Sequence, residues 1–128
     1  MISAGDVLRI GDSGAKSPWH YFVVISDSNL NSQKILLVCF TTWEDWKDDT
    51  CHISPTDGLS FIRHQSCVDY AAARTESAQT LKRMMEAGAA KIVQNVGPDL
   101  LARIRKGARE TNRLASKHWI LLNDQELI

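Results

Sequence analysis

The chain has 128 residues, of which 44% are hydrophobic and 23% charged, so it can bury a core and is not a disordered tail. Fifteen Lys and Arg residues balance fifteen Asp and Glu residues, which excludes a strongly basic protein. Ten of the fifteen Lys and Arg residues follow residue 64, however, and could form a local basic face. No apolar run approaches the roughly 18 residues of a membrane helix, and the N-terminus lacks the basic and apolar segments of a signal peptide. We therefore expect one domain spanning residues 1–128, located in the cytoplasm and without membrane association.

The first half of the chain is expected to form β-strands. Its apolar runs are dense in aromatic and β-branched residues and are separated by turn-forming segments at 13–18 and 27–32. The predicted strands and strand pieces are residues 6–10, 19–26, 34–42, 51–53, 61–62 and 67–70.

The second half is expected to contain two helices and one strand. Residues 76–87 are rich in helix formers and precede Gly88, residues 91–96 resemble a strand, and Pro98 opens a helix reaching Ser116. In that last helix an apolar stripe of Leu100, Leu101, Ile104, Ala108, Thr111, Leu114 and Ala115 lies opposite Arg103, Lys106, Arg109, Arg113 and Lys117. The basic side is either solvated or in contact with RNA or an acidic partner.

This order of elements predicts a mainly β fold with α additions, a small bent antiparallel sheet or barrel. We expect five to seven strands around one core. The residues expected in that core are Trp19, Phe22, Val24, Leu36, Val38, Phe40, Ile62 and Leu100.

Common metal and nucleotide motifs are missing from the sequence. Cys39, Cys51 and Cys67 form no Cys-x-x-Cys pair, and their odd number disfavours a disulfide framework and a structural zinc site. The sequence contains no Gly-x-Gly-x-x-Gly, Walker loop, His-Glu-x-x-His or calcium loop. We therefore expect no metal and no cofactor.

Several segments share their order and spacing with one family of toxins. Gly5-Asp6-Val7 is similar to an opening Gly-Asp-Val/Ile, residues 22–26 to a Val-Leu-Val-Ile-Ser/Gln strand, and residues 37–42 to a strand ending in threonine. Residues 58–62, Val96-Gly97 and the late helix match later segments in the same order. Over about residues 5–115 the chain resembles the PemK/MazF-like toxins of type II toxin–antitoxin systems.

The resemblance implies an SH3-like barrel with a C-terminal helix, a homodimer and an antitoxin protein as partner. It further implies metal-independent cleavage of single-stranded RNA by 2′-hydroxyl attack, leaving a 2′,3′-cyclic phosphate and a 5′-hydroxyl. The family's catalytic threonine corresponds to Thr41, but its Arg-Pro is replaced by His20-Tyr21, and its Glu-Gln-Ile/Val-Arg segment by residues 64–67.

Four residues are candidates for this chemistry, which needs a base for the 2′-hydroxyl, an acid for the leaving 5′-oxygen and donors for the phosphorane. The candidates are His20, Thr41, His64 and Ser66. Imidazole suits either proton role, although it cannot hold phosphate bidentately as guanidinium does. The alternatives are an aromatic-cluster role for His20, an ordinary strand-end role for Thr41, and an exposed loop over residues 63–66.

Trp43 and Trp46 lie in an acidic loop, where they either pack or stack on bases; we favour packing because the acids would repel phosphate.

Three functions stay open. The first is the endoribonuclease toxin. The second is a catalytically inactive PemK-like protein that binds nucleic acid or a regulatory protein. The third is an accessory protein of a phage or mobile element with a purely protein partner.

Overall fold

The computed structural model describes residues 2–11, 19–27 and 34–128. The predicted loop at 13–18 and most of the predicted turn at 27–32 lie outside these ranges. The described strands are β1 (Asp6–Ile10), β2 (His20–Val24), β3 (Ile35–Thr42), β4 (His52–Ile53), β5 (Ser66–Glu76) and β6 (Ala90–Asn95). The described helices are α1 (Ala78–Glu86), α2 (Pro98–Glu110) and α3 (Ser116–Asp124), with a 3-10 turn at Pro55–Asp57.

The strands form one curled sheet in the order β4-β5-β3-β2-β1-β6, with every neighbouring pair antiparallel. In a flat sheet the outer strands would be about 24 Å apart, five spacings of about 4.8 Å. Instead, Gln94 on β6 donates to the Gly58 carbonyl at 2.7 Å and accepts from the Ser60 amide at 3.1 Å, both in the loop after β4. The sheet therefore curls, and the prediction of a mainly β fold with a bent antiparallel sheet and helical additions is confirmed.

The prediction of one core is wrong, because the sheet buries two faces. Residues 35–40 of β3 are all buried, and alternate side chains along the strand point to opposite sides. Leu36, Val38 and Phe40 join the cluster under α2, whereas Phe22 and Val24 belong to the cluster under α1. Trp19 belongs to neither cluster: it is 39% exposed and its indole packs against the Arg9 guanidinium at 4.6 Å.

The helix α2 begins as predicted but ends earlier. Gly97 adopts a φ of 83° before Pro98, and Leu100, Leu101, Ile104 and Ala108 of the predicted apolar stripe are buried. The predicted extension to Ser116 is wrong: Thr111 is extended, with a ψ of 146°, and its Oγ1 donates to Asp48 at 2.7 Å. Arg113 consequently lies between helices and Lys117 in α3, so the predicted basic side does not continue along one helix.

The other elements depart from the prediction mainly at their ends. The strand β5 runs on to Glu76, so α1 starts at Ala78, where the Ser77 hydroxyl accepts from the Thr80 amide. Residues 61–62 form part of a turn instead of the predicted strand piece. In the described part of the chain, α1, α2 and α3 all fall short of the length and apolar character of a membrane-spanning helix.

Stability should decrease on mild acidification because of His118. This residue is 4% exposed on α3, and its burial, helped by the nearby Lys117 charge, lowers the imidazole pKa despite a hydrogen bond with the Ala73 backbone. The unfolded chain, whose histidine pKa is about 6.5, then binds the proton more readily than the folded chain. The free energy of unfolding should be unaffected by this group above pH 6.5 or so and fall as the pH drops below it towards the folded-state pKa.

Urea denaturation at several pH values between about 5 and 7.5 measures this change in the free energy of unfolding. The range lies above the pH values at which most carboxylates titrate. The His118→Gln variant should reduce the pH dependence, while the exposed His52→Gln should preserve it. An unchanged pH dependence in His118→Gln would contradict the assignment.

Candidate functional site

A surface pocket of about 230 Å³ lies where β3 ends and β5 begins. We call it the Thr41 pocket. Its lining residues are Tyr21, Phe40, Thr41, Thr42, Phe61, Ile62, Arg63, His64 and Ser66. Three of the four predicted site residues, Thr41, His64 and Ser66, are therefore brought together.

The antiparallel register explains why the segments that carry these three residues lie side by side. Thr41 pairs with Cys67 and Thr42 with Ser66, so the end of β3 is held beside the start of β5. The Trp43 amide donates to the Gln65 carbonyl at 2.9 Å, which ties the connecting polar segment to the same place. The end of β3 and the polar segment before β5, which are far apart in sequence, thus form one wall of the pocket.

Aromatic rings form the other wall of the pocket. The Tyr21 and Phe61 rings stack with centroids 4.2 Å apart and planes 9° from parallel, and Phe40 meets Phe61 edge-on at 5.5 Å. Offset stacking and edge contacts are favourable arrangements that limit ring motion. The sequence analysis missed Tyr21 and Phe61 as pocket residues, although each borders a predicted site segment.

The threonine hydroxyl is positioned by a lysine that the sequence analysis also missed. Lys47 donates from Nζ to Thr41 Oγ1 at 3.0 Å and to the Thr42 carbonyl at 2.7 Å. Thr41 therefore acts as acceptor towards Lys47 and keeps its own O–H for another partner. The Ser66 hydroxyl, in contrast, already donates to the His64 carbonyl at 2.9 Å.

Two basic side chains of the pocket have no acidic partner among the described residues. Arg63 and His64 are exposed, and within the described ranges neither side chain forms a hydrogen bond or an ion pair. An unpaired guanidinium in the pocket, a hydroxyl free to donate and a lysine bonded to the oxygen of that hydroxyl make a site suited to an anion, above all a phosphate.

His20 does not join this group. It is an exposed residue at the start of β2, where it pairs with Ile10 of β1, and it is not among the residues lining the Thr41 pocket. The adjacent Tyr21 lines the pocket instead, because successive side chains of a strand point to opposite faces.

A second cleft of about 290 Å³ shares Thr41 with the pocket. We call it the Trp46 cleft; its lining residues are Thr41, Trp46, Lys47, Asp48, Cys67, Asp69 and Arg113. Burial acts to raise the Asp48 pKa, but hydrogen bonds from Thr50 and Thr111 and the nearby Arg113 charge bring it below its ordinary value. Asp48 therefore anchors its loop to the end of α2 as a carboxylate.

Comparison with known proteins adds no family assignment: no protein-family model matches the chain, and no curated protein matches it in sequence. Across residues 2–11, 19–27 and 34–128, no group of three or more His, Cys, Asp or Glu side chains is arranged to hold a metal ion.

Proposed function

We propose that the protein is a PemK/MazF-type endoribonuclease toxin that cleaves single-stranded RNA in the Thr41 pocket without a metal. The observation that carries the proposal is that Thr41, Arg63 and His64 line one pocket, while Lys47 donates to Thr41 Oγ1. In this proposal the curled sheet corresponds to the family's SH3-like barrel. The protein then acts in the cytoplasm as a homodimer controlled by an antitoxin.

Each side chain has a defined role in the proposed reaction. Arg63 binds the non-bridging phosphate oxygens bidentately, and Thr41 donates its O–H to the negative charge that grows on them. His64 takes the proton from the 2′-hydroxyl as its oxygen bonds to phosphorus. The bond from phosphorus to the 5′-oxygen then breaks, and solvent reaching the exposed histidine loop protonates that oxygen. The products are a 2′,3′-cyclic phosphate and a 5′-hydroxyl.

Incubating the purified protein, free of any antitoxin, with a pool of single-stranded RNA tests the proposal. We expect cleavage that survives a chelator, with cyclic phosphate and 5′-hydroxyl ends identified by mass spectrometry. Linear 3′-phosphates formed without a cyclic intermediate, or loss of cleavage on chelation, would contradict the proposed chemistry.

Replacing Thr41 with valine should lower the cleavage rate by about 10²-fold, as expected for the loss of one donor to a transition-state anion. Valine preserves the shape of the side chain and removes the hydroxyl that Lys47 contacts. The matched variant Thr42→Val changes the neighbouring pocket threonine, whose contact with Lys47 is made by its backbone carbonyl, and should retain most activity. Single-turnover rates measure both, and equal losses would argue against a specific role for Thr41.

The second candidate is a catalytically inactive relative that binds RNA or a regulatory protein. It is favoured by the composition of the site: among the described residues His64 is the only histidine lining the Thr41 pocket, and the Ser66 donor is occupied. Such a site could hold a phosphate while lacking a second proton-transfer group. RNA binding without any cleavage by the antitoxin-free protein would select this function.

A further inference from the structure

The exposed indole of Trp46 is an unusual surface feature. It is 72% exposed, the highest value among the large hydrophobic side chains in the described part of the chain. Its loop is held in place, since Lys47 is bonded to the end of β3 and Asp48 to Thr111. Lys47 Nζ lies over the indole, 5.2 Å from the ring centroid. The other face of this large apolar ring, on a fixed loop beside a polar cleft, is left to stack on a planar ligand.

The cleft also contains a carboxylate without a partner. Asp69 lies half-buried on β5, opposite Cys39 of β3, and forms no hydrogen bond or ion pair with any described residue. Asp48, in the same cleft, has both oxygens occupied. A carboxylate accepts hydrogen bonds through both oxygens, so Asp69 is open to N–H or O–H donors of a ligand in the cleft.

Cations and the shared threonine connect this cleft to the proposed phosphate site. Arg113 is exposed and its guanidinium makes no hydrogen bond or ion pair within the described ranges. Thr41 lines both the cleft and the Thr41 pocket. A nucleic-acid strand whose phosphate lies in the pocket would bring a neighbouring base into the cleft.

We infer that the Trp46 cleft is a base-recognition subsite for guanine in single-stranded RNA, an inference that rests on the proposed binding of RNA at the Thr41 pocket. The Watson–Crick edge of guanine carries two adjacent donors, N1–H and the N2 amino group, which match the two oxygens of Asp69. Adenine, cytosine and uracil each present one donor position on that edge. Trp46 stacks on the base, and the cleft volume of about 290 Å³, small for a ligand site, suits one base.

Equilibrium binding of short fluorescent strands tests the subsite separately from cleavage. The strands are uncleavable because their 2′-oxygens are methylated: an oligouridine, and the same strand with one central guanine, inosine or adenine. We expect guanine to tighten binding by about 10-fold over adenine, the selectivity of one bidentate base contact. Inosine, which lacks the N2 amino group, should lose most of this gain.

Two variants and one matched control locate the preference in the cleft. Asp69→Asn should abolish the guanine preference while the oligouridine still binds, whereas Asp45→Asn, an exposed acid of the Trp46 loop that lines neither cavity, should preserve it. Trp46→Ala should weaken binding of the guanine strand by about 10-fold through lost stacking.

The outcomes separate the two proposals. If oligouridine binds but guanine adds nothing, if adenine is preferred, or if the preference survives Asp69→Asn, the subsite is refuted and the proposed function stands. If no strand binds, both the RNA function and the subsite fail.

Discussion

Replacing His64 with alanine should lower the rate of RNA cleavage by about 10²–10⁴-fold, the usual contribution of a general acid or base. His64 is the histidine of the Thr41 pocket, and its exposed side chain makes no hydrogen bond or ion pair within the described ranges. Its removal should therefore leave folding intact, which the midpoint of urea denaturation can verify. Single-turnover cleavage of a defined RNA strand measures the rate.

The matched control is His20→Ala, which removes another exposed histidine from outside the pocket lining. The family resemblance points to this position, because it aligns with the family's arginine, whereas our proposal gives the proton-transfer role to His64, which lines the Thr41 pocket. We expect His20→Ala to cleave RNA at nearly the wild-type rate. A large loss of cleavage rate in His20→Ala, with little change in His64→Ala, would show that His20 on β2 transfers the proton and would overturn our assignment.

The sheet was predictable because its central strand carries an unambiguous pattern. The apolar run at residues 35–40 is buried on both faces of β3, and a strand of this kind has few alternative placements. The sides taken by neighbouring strands were harder to assign. The prediction placed Phe22 and Val38 in a single core, but they lie in different clusters because a strand directs alternate side chains to opposite faces.

The same one-residue alternation decides the composition of the site. Thr41 and Ser66 could be predicted from their positions at strand ends, and antiparallel pairing then brings those ends together. Tyr21 faces the pocket in place of His20, a choice that depends on strand register and on no local sequence signal. Lys47 belongs to a loop whose path is fixed by contacts with the end of β3.

The end of α2 was unpredictable for a related reason. The periodic apolar pattern continues past Glu110, and the weaker helix propensity of Thr111 and Asn112 alone does not fix an end there. The helix ends because Thr111 donates to Asp48, a residue 63 positions earlier in the chain. A contact of this separation forms only in the folded protein, so a local pattern cannot reveal it.

Replacing Gly107 with alanine should destabilise the protein, against the usual effect of this change in a helix. A Cβ at Gly107 would lie 2.2 Å from Tyr70 Oη and 3.1 Å from Cys51 Cβ. Tyr70 is fully buried, and burial raises its pKa, so the phenol stays protonated and donates to the Ile104 carbonyl at 2.7 Å. It cannot move aside without breaking that bond, and α2 would have to shift away from β5.

We expect Gly107→Ala to lower the free energy of unfolding by roughly 1–3 kcal/mol, the range for overpacked cores, even though alanine is favoured over glycine in a helix by about 1 kcal/mol. Urea denaturation measures the change. The exposed Ala102 on the same helix provides the control for helix propensity. Ala102→Gly should lower the free energy of unfolding by about 1 kcal/mol with no steric contribution. A stabilised Gly107→Ala would mean that the helix and sheet separate there without cost.

A second substitution tests whether the tyrosine hydroxyl causes the loss. Tyr70→Phe alone should cost about 1 kcal/mol, because it removes one buried hydrogen bond to the Ile104 carbonyl. In the Gly107→Ala background the same change also removes the atom nearest the new methyl group. The double variant should therefore be more stable than the sum of the two single changes predicts, by at least about 1 kcal/mol. Additive losses would assign the strain to the contacts that phenylalanine keeps, those with the ring carbon Cζ at 3.0 Å and with Cys51 Cβ at 3.1 Å, and leave the Tyr70 hydroxyl with only its hydrogen bond to α2.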